Sequence, residues 1–197
     1  MTPPQQYDLT AIDLSGSQYI VEQTGRDKNL RPEYEARNVA GDTVFSGLYK
    51  MYQEEDEFPF VDTDGNEMFT VKASGTWDIA GDYVLTDSHT GDDLVILDND
   101  FSLVQDTWRI RDADDQSLLA EIDSRGVLVT AGRKVLPFGQ WIGHKYEITD
   151  AEGETIGSIE SDFAMFDQYE ITITDASSVP IEPIVLGTVV IDAIQAN

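Results

Sequence analysis

The stretch IEPIVLGTVVIDAIQ, residues 181–195, decides the fold of this chain because it is almost wholly apolar in a sequence crowded with acids. Its most apolar part, residues 184–194, would measure about 17 Å as a helix, well short of the roughly 30 Å hydrocarbon core of a bilayer. Asp192 also interrupts it, which argues against a membrane span. Pro180 and Pro183 suit the first turn of a helix. A helix that is apolar on nearly every side must be enclosed by other parts of the chain.

A short turn signal, which opens with Asp or Asn and usually closes with Gly, recurs along the chain about every 25 residues. Gly accepts a positive φ angle, and the Asp or Asn side chain bonds to nearby backbone amides, so this signal predicts hairpin turns. Only one interval is longer, since 38 residues separate Asp112 from Asp150. The signals begin at Asp13, Asn38, Asp62, Asp87, Asp112, Asp150 and Asp175.

Twelve short runs around these turns alternate apolar with polar side chains, which is typical of strands with one wet face. They span residues 17–23, 34–37, 43–49, 58–61, 68–73, 82–86, 93–97, 107–111, 117–122, 145–149, 154–160 and 169–174. An open meander of these strands would expose two long edges, and closure into a barrel removes them. A barrel this wide cannot be filled by its own side chains alone. We therefore predict a mainly β fold, a closed antiparallel barrel of about twelve strands around the hydrophobic C-terminal helix.

The charge of the chain is unusual, since 38 acids against 12 lysines and arginines give a net charge of −26. The acids are spread along the whole chain, which predicts a solvated surface adapted to concentrated salt. In molar salt the Debye length is about 3 Å, so self-repulsion is screened, and we predict a protein of a halophile. Such a surface argues against nucleic-acid binding, which depends on many Lys and Arg contacts to phosphates.

The cysteine count and the first residues limit the chemistry and the compartment. The sequence has no cysteine, which excludes a disulfide framework, thiol catalysis and zinc held by Cys. The N-terminal MTPPQQYDLT, residues 1–10, lacks the basic and apolar blocks of a signal peptide. We expect a cytoplasmic location.

An ordered series of motifs resembles the tubby-like C-terminal superfamily, and within it most closely the LURP-one-related group, in an acidic, haloarchaeal-type version. The series comprises YIVEQ (19–23), YEARNVAGDTVFSG (34–47), FPFVDTDGNEMFTVKA (58–73), DNDFSLVQDTWRIRDAD (98–114), HKYEITDAEGETIGSIE (144–160), FDQYEIT (166–172) and IVLGTVVIDAI (184–194). The resemblance implies a twelve-stranded barrel around a central helix, as one domain over residues 1–197 with its core at about 17–195. It implies no activity, because the superfamily includes phosphoinositide-binding tubby domains, phospholipid scramblases and plant proteins linked to defence.

The sequence shows no recognisable set of catalytic residues. His89 lies between Ser88 and Thr90 at a predicted turn, as solvated histidines commonly do. The sequence contains no nucleophile elbow, phosphate-binding loop or dinucleotide fingerprint. DTDGNE, residues 62–67, is similar to a calcium loop, but its Gly comes too early and Ala73 stands where Glu should close the loop, so a hairpin turn explains it better. We expect no catalytic residues, no cofactor and no metal site.

One segment departs from the acidic composition of the chain. Residues 124–146 contain no Asp or Glu, and the longer turn interval falls inside this segment. Its cations and aromatic side chains could bind an anion, a lipid headgroup or an acidic partner. The candidate site residues are Arg125, Arg133, Lys134, Phe138, Trp141, His144 and Lys145. The alternative is that residues 127–130 form a strand, that the aromatic residues cover one mouth of the barrel, and that the cations pair with nearby acids.

Three functions remain open at this stage. The favoured one is a non-catalytic module that binds an unknown protein partner or small ligand. The second is a peripheral phospholipid-binding or scramblase-like protein that makes contact with acidic lipid. The third and least favoured is a hydrolase-type enzyme, since two carboxylates at the right separation can perform acid/base chemistry.

Overall fold

In a computed structural model of the protein, the described residues form thirteen strands, most of them at the predicted alternating runs. The model describes residues 14–29, 31–48, 50–51, 56–73, 83–101, 106–124, 145–161 and 168–195. The strands are β1 (Gln18–Arg26), β2 (Pro32–Asn38), β3 (Thr43–Leu48), β4 (Lys50–Met51), β5 (Asp56–Val61), β6 (Glu67–Ala73), β7 (Tyr83–Asp87), β8 (Asp93–Phe101), β9 (Asp106–Asp112), β10 (Leu118–Ser124), β11 (Lys145–Asp150), β12 (Thr155–Ser161) and β13 (Gln168–Ile173). Each of the twelve predicted runs coincides with one of these strands. The helix α1 (Ile181–Gln195) follows the last strand.

The strands form one antiparallel sheet that closes on itself. Apart from β3 and β4, strands that follow each other along the chain pair with each other, β1 pairs with β13, and β3 pairs with β5. The short β4 pairs with β5 in the register already set by Ser46 opposite Val61 and Gly47 opposite Phe60. β4 therefore continues β3 along the same edge of β5, and the barrel ring has twelve strands. The prediction of a closed twelve-stranded antiparallel barrel is confirmed.

Five of the predicted turns lie at the same end of the barrel because they connect every second pair of strands. In the turn after β5, Asp62 Oδ1 accepts hydrogen bonds from the amides of Asp64 and Asn66, both at 2.8 Å. The Gly residues that close four of these turns have φ angles of 77° to 87°. The five turns open with Asn38, Asp62, Asp87, Asp112 and Asp150, and we call this end of the barrel the turn end.

Two of the predicted turns depart from the common pattern, and one turn was not predicted. The turn that opens with Asp112 has no Gly, and Gln116 instead takes the positive φ of 61°. The signal at Asp175 precedes α1 and does not form a hairpin, while the one at Asp13 lies outside the described residues. A further turn joins β1 to β2 at the opposite end, where Asp27 Oδ1 accepts from the Asn29 and Arg31 amides at 2.8 and 2.9 Å.

A collar of buried aromatic side chains lines the barrel on alternate strands. Each of the first five lies four residues before the Asp or Asn that opens a turn, so the collar repeats with the turns. Neighbouring rings approach each other, with centroids 6.4 Å apart for Phe58 and Tyr83 and 6.3 Å apart for Tyr83 and Trp108. Smaller buried residues, such as Leu97 opposite Tyr83, alternate with them. The collar comprises Tyr34, Phe58, Tyr83, Trp108, Tyr146 and Tyr169.

The helix α1 occupies the inside of the barrel, as predicted. It contacts β1 and β2 on one side and β9 on nearly the opposite side of the ring. Val185 and Val189 are fully buried, and Ile191 is 5% exposed. The hydroxyl of buried Thr188 donates to the Ile184 carbonyl at 2.8 Å, so this polar group is satisfied within the helix. In the part of the chain that the structure describes, no helix has the length and apolar character needed to cross a bilayer.

Candidate functional site

The acid-free segment is the site that the sequence predicts, and the structure describes only its two boundaries. Ser124 ends β10 and Lys145 begins β11, and the next residue, Tyr146, pairs with Ser124. Both boundaries therefore lie at the end of the barrel opposite the turn end. Of the seven candidate residues, six lie outside the described residues, namely Arg125, Arg133, Lys134, Phe138, Trp141 and His144.

Lys145 is the one candidate residue whose surroundings are described. Its side chain is half exposed, and its Nζ donates to Glu160 Oε1 on the neighbouring strand β12. An exposed pair of this kind contributes little to stability, typically below about 1 kcal/mol. The pair does neutralise charge locally. This agrees with the alternative interpretation of the segment, in which its cations pair with nearby acids.

Other described cations on the barrel wall are also matched to carboxylates. Arg37 donates to Glu35 at 2.7 Å and to Glu22 at 3.0 Å, and the Glu35 carboxylate raises the pKa of the Arg37 guanidinium. Further pairs join neighbouring strands, between Arg109 and Glu121 and between Arg111 and Asp98, both at 3.2 Å. These cross-strand pairs relieve repulsion on a wall with many acids.

Arg31, in the turn between β1 and β2, is held in the same way. The Arg31 guanidinium donates to Asp27 at 2.5 Å and holds the pKa of that carboxyl well below its usual range. Both groups lie in the turn between β1 and β2, so their geometry serves the turn. The resemblance to lipid-binding tubby domains therefore gains no support from these residues.

The carboxylates that open the turns accept hydrogen bonds from backbone amides, as Asp62, Asp87 and Asp150 do. The Asn66 side chain donates to Asp62 at 2.8 Å, and this bond is the main cause of the lowered pKa of Asp62. The stretch similar to a calcium loop is therefore a hairpin turn, as predicted. Within the described ranges no three His, Asp or Glu side chains converge so that they could hold a metal ion.

His89 is a solvated turn residue, in agreement with the sequence analysis. Its side chain is 68% exposed, and its ring Nδ1 lies 3.9 Å from Asp87. Ser88 lies beside it, but the Ser88 hydroxyl donates to Glu67 at 3.0 Å. The two side chains therefore do not form a nucleophile and base pair, which requires a direct hydrogen bond.

A groove on the outer wall is a feature that the sequence analysis missed. It crosses β2, β3, β5 and β6 and encloses about 460 Å³. The sequence offers no direct signal for it, because the groove depends on strand register, which places Ser46 opposite Val61 across the β3–β5 pair. Its lining includes Glu33, Glu35, Ser46, Leu48, Pro59, Val61 and Glu67.

Comparison with known proteins identifies the family of this chain but gives no information about its activity. No curated protein matches the sequence. The family model described as LURP-one-related matches residues 49–192, which is 144 of the 197 residues. The match covers the strands from β4 onward and most of α1. This chain belongs to the LURP-one-related family.

Proposed function

We propose that this protein is a non-catalytic, tubby-like binding module of one domain that acts in a high-salt cytoplasm. The observation that carries the proposal is the burial of α1, whose hydrophobic residues from Ile184 to Ile191 are at most 5% exposed. A barrel that holds its own helix does not offer the deep apolar pocket in which enzymes usually bind substrates. Binding is therefore assigned to the outer surface and the barrel ends.

The proposed contact surface is the acid-free segment, residues 124–146. Two features support it: the local absence of acids in a chain of net charge −26, and the presence of Phe138 and Trp141 among its cations. Aromatic and Arg side chains are enriched at the centres of protein interfaces. We assign partner binding to Arg125, Arg133, Lys134, Phe138, Trp141, His144 and Lys145.

A lipid-binding role is the second candidate, and the same segment favours it. Trp and Phe with nearby cations are typical of surfaces that contact acidic membranes. The role would be peripheral contact with acidic headgroups. A protein partner is preferred because the rest of the surface is strongly acidic and would be repelled by an acidic bilayer.

The test captures partners of the tagged full chain in about 1 M KCl, where repulsion is screened. Mass spectrometry of the captured material would identify both proteins and lipids. The test variant changes Arg125, Arg133, Lys134 and Lys145 to Ala. A matched control changes Arg26, Lys28, Lys50 and Lys72 to Ala, which removes the same charge from β1, the β1–β2 turn, β4 and β6.

We expect the test variant to lose the captured partner by about tenfold, equivalent to about 1.4 kcal/mol, while the control retains it. Vesicles of phosphatidylglycerol and of phosphatidylcholine separate the two candidates. Retention on phosphatidylglycerol vesicles that depends on the four cations would establish the lipid role instead. Equal capture by wild type and both variants would reject the segment as the binding surface.

A further inference from the structure

The groove on the outer wall has acids on both sides of an apolar floor. Along one row across the sheet, Glu35 of β2 pairs with Ser46 of β3, Ser46 pairs with Val61 of β5, and Val61 pairs with Glu67 of β6. The two Glu residues thus stand at the ends of the row. Glu33 adds a second carboxylate on the β2 side, since it lies two residues before Glu35 on the same face.

The side chains that form the floor between these acids are mostly apolar and short. Leu48, Pro59 and Val61 line it, and Ser46 is the smallest side chain of the central row. Gly47, the next residue along β3, faces the barrel interior, where a Cβ would lie 3.0 Å from the buried Phe60 ring, so it contributes no side chain to the floor. The small side chain of Ser46 therefore leaves space at the centre of this row, between Glu35 and Glu67.

The spacing of the acids limits what can fit between them. Neighbouring strands are about 4.8 Å apart, so the three strand gaps from Glu35 to Glu67 separate their backbones by about 14 Å. A volume of about 460 Å³ lies within the range of small-molecule sites. A compact ion placed near one side would not reach the other.

The carboxylates on the two sides are held differently. Glu67 Oε1 accepts hydrogen bonds from the hydroxyls of Thr70 at 2.8 Å and Ser88 at 3.0 Å, which fix its orientation. Glu35 Oε2 accepts two hydrogen bonds from the Arg37 guanidinium, so this carboxylate already has a cationic partner. Glu33 is exposed at the rim. Glu33 and Glu67 are therefore the carboxylates best placed to receive a cation, one from each side.

We propose that this groove binds a linear aliphatic polyamine, with an ammonium group at each acidic side and the methylene chain over the floor. Ammonium groups form charge-assisted hydrogen bonds with carboxylates, and methylene groups gain from contact with Leu48, Pro59 and Val61. An anion is excluded by the charge of the groove. A divalent metal is excluded because its oxygen ligands must converge on one point, and here an apolar floor separates them.

The test titrates the full-length protein with spermidine, a linear triamine, by calorimetry in a KCl concentration at which the fold is intact. The test variant is Glu33→Gln with Glu67→Gln, in which the amide oxygen introduced at position 67 can still accept from Thr70 and Ser88. The matched control is Glu152→Gln with Glu170→Gln, two exposed acids outside the groove. We expect the test variant to bind about tenfold more weakly and the control to remain within about twofold of wild type.

A second variant separates shape from charge. Ser46→Phe fills the groove without changing a charge, and we expect it to abolish spermidine binding while thermal melting shows an intact fold. An uncharged triether of similar length should not bind to the wild type. Absence of saturable binding, equal loss in the test and control variants, or unchanged binding by Ser46→Phe would each overturn the proposal. Binding of a lysine-rich peptide in the groove without binding of spermidine would overturn it as well.

Discussion

Gly157 of β12 lies so close to the carbonyl oxygen of Thr172 on β13 that a Cβ atom on Gly157 would approach that oxygen to less than 3.0 Å. The same Cβ would meet Ile148 Cδ1 at 3.2 Å and Ile173 Cα at 3.4 Å. Two of these three neighbours are backbone atoms held by strand pairing, so they cannot move aside independently. A glycine is required here by the close approach of two strands.

We predict that Gly157→Ala lowers the free energy of unfolding by about 1–3 kcal/mol, because the added methyl group forces neighbouring backbones apart. Chemical denaturation in high salt measures the change. Gly25→Ala on β1 is the control, since the nearest atom to its Cβ is a Glu33 carboxylate oxygen at 4.0 Å. Equal stability of the two variants would show that the barrel wall at Gly157 is looser than described.

Gly187 in α1 differs from Gly157, because a methyl group can be added there without a clash. Its added Cβ would lie 3.5 Å from Leu97 Cδ2, which is an ordinary van der Waals distance. Gly in a helix interior is about 1 kcal/mol less favourable than Ala. We therefore predict that Gly187→Ala raises the free energy of unfolding by about 0.5–1 kcal/mol.

Thermal and denaturant unfolding in the same high-salt buffer would check this prediction. Gly187→Leu serves as the contrasting variant, since a side chain of that size exceeds the available space and should destabilise the protein by overpacking. A loss of stability in Gly187→Ala would mean that the helix and β8 are packed more tightly than the distance indicates.

The sequence predicted the strands and the enclosed helix because both depend on short-range patterns. A period of two along each run and an apolar stretch near the C-terminus are local signals. The end of the Asp112 turn was harder to predict, since Gln116 occupies a conformation that normally indicates Gly. The turn at Asp27 was missed for a similar reason, because the Asp27–Arg31 stretch contains no Gly.

Gln116 gives a direct test of this local strain. It has a φ of 61°, where the Gly residues of four equivalent turns have 77° to 87°. A left-handed conformation costs a residue with a Cβ about 1–2 kcal/mol, and the greater freedom of Gly in the unfolded chain offsets part of the gain from removing it. We predict that Gln116→Gly stabilises the protein by about 0.5–1 kcal/mol.

The reciprocal substitution Gly91→Gln is the matched control, because Gly91 closes the neighbouring turn with the same hydrogen bond to the residue four positions earlier. It should destabilise the protein by a similar amount. If both substitutions change the midpoint of denaturation in the same direction, backbone strain is not the cause.

The candidate binding sites were less predictable than the fold. Lys145 was identified from the absence of acids around it in the sequence, but its partner Glu160 is a neighbour only through strand pairing. The groove between Glu35 and Glu67 depends on four strands that the closed sheet brings side by side. Composition alone can locate an unusual segment. A concave site, by contrast, can be predicted only when the register of the paired strands is known.

The lowered pKa of Asp62 predicts a specific pH dependence. The Asn66 side chain is the main cause, so Asn66→Ala should return this pKa toward its usual range. Because the pKa is lower in the folded state, the stabilisation is complete above the unfolded value of about 3.9 and is lost as the pH falls through the folded value. The difference in stability between wild type and Asn66→Ala should therefore be largest above about pH 5 and shrink below about pH 4.

Denaturation midpoints at a series of pH values in constant salt would measure this difference. Asn29→Ala is the control, because the backbone amide of residue 29 still donates to Asp27 and the side-chain bond that is removed measures 3.4 Å, against 2.8 Å for Asn66. A gap between wild type and Asn66→Ala that stays constant from about pH 6 to about pH 3 would contradict the assignment.

The net charge of −26 predicts that stability depends on salt. At about 10 mM salt the Debye length is about 30 Å, so acids around the whole barrel repel each other, whereas at about 1 M it is about 3 Å. We expect the melting temperature to rise steeply with KCl, and an uncharged osmolyte to reproduce only part of the rise.

Replacing acids at the turn end, with Asp114→Asn and Glu152→Gln, should raise the melting temperature in dilute buffer more than in molar salt, since repulsion is unscreened in dilute buffer. Equal melting temperatures at both salt concentrations would contradict the adaptation to concentrated salt.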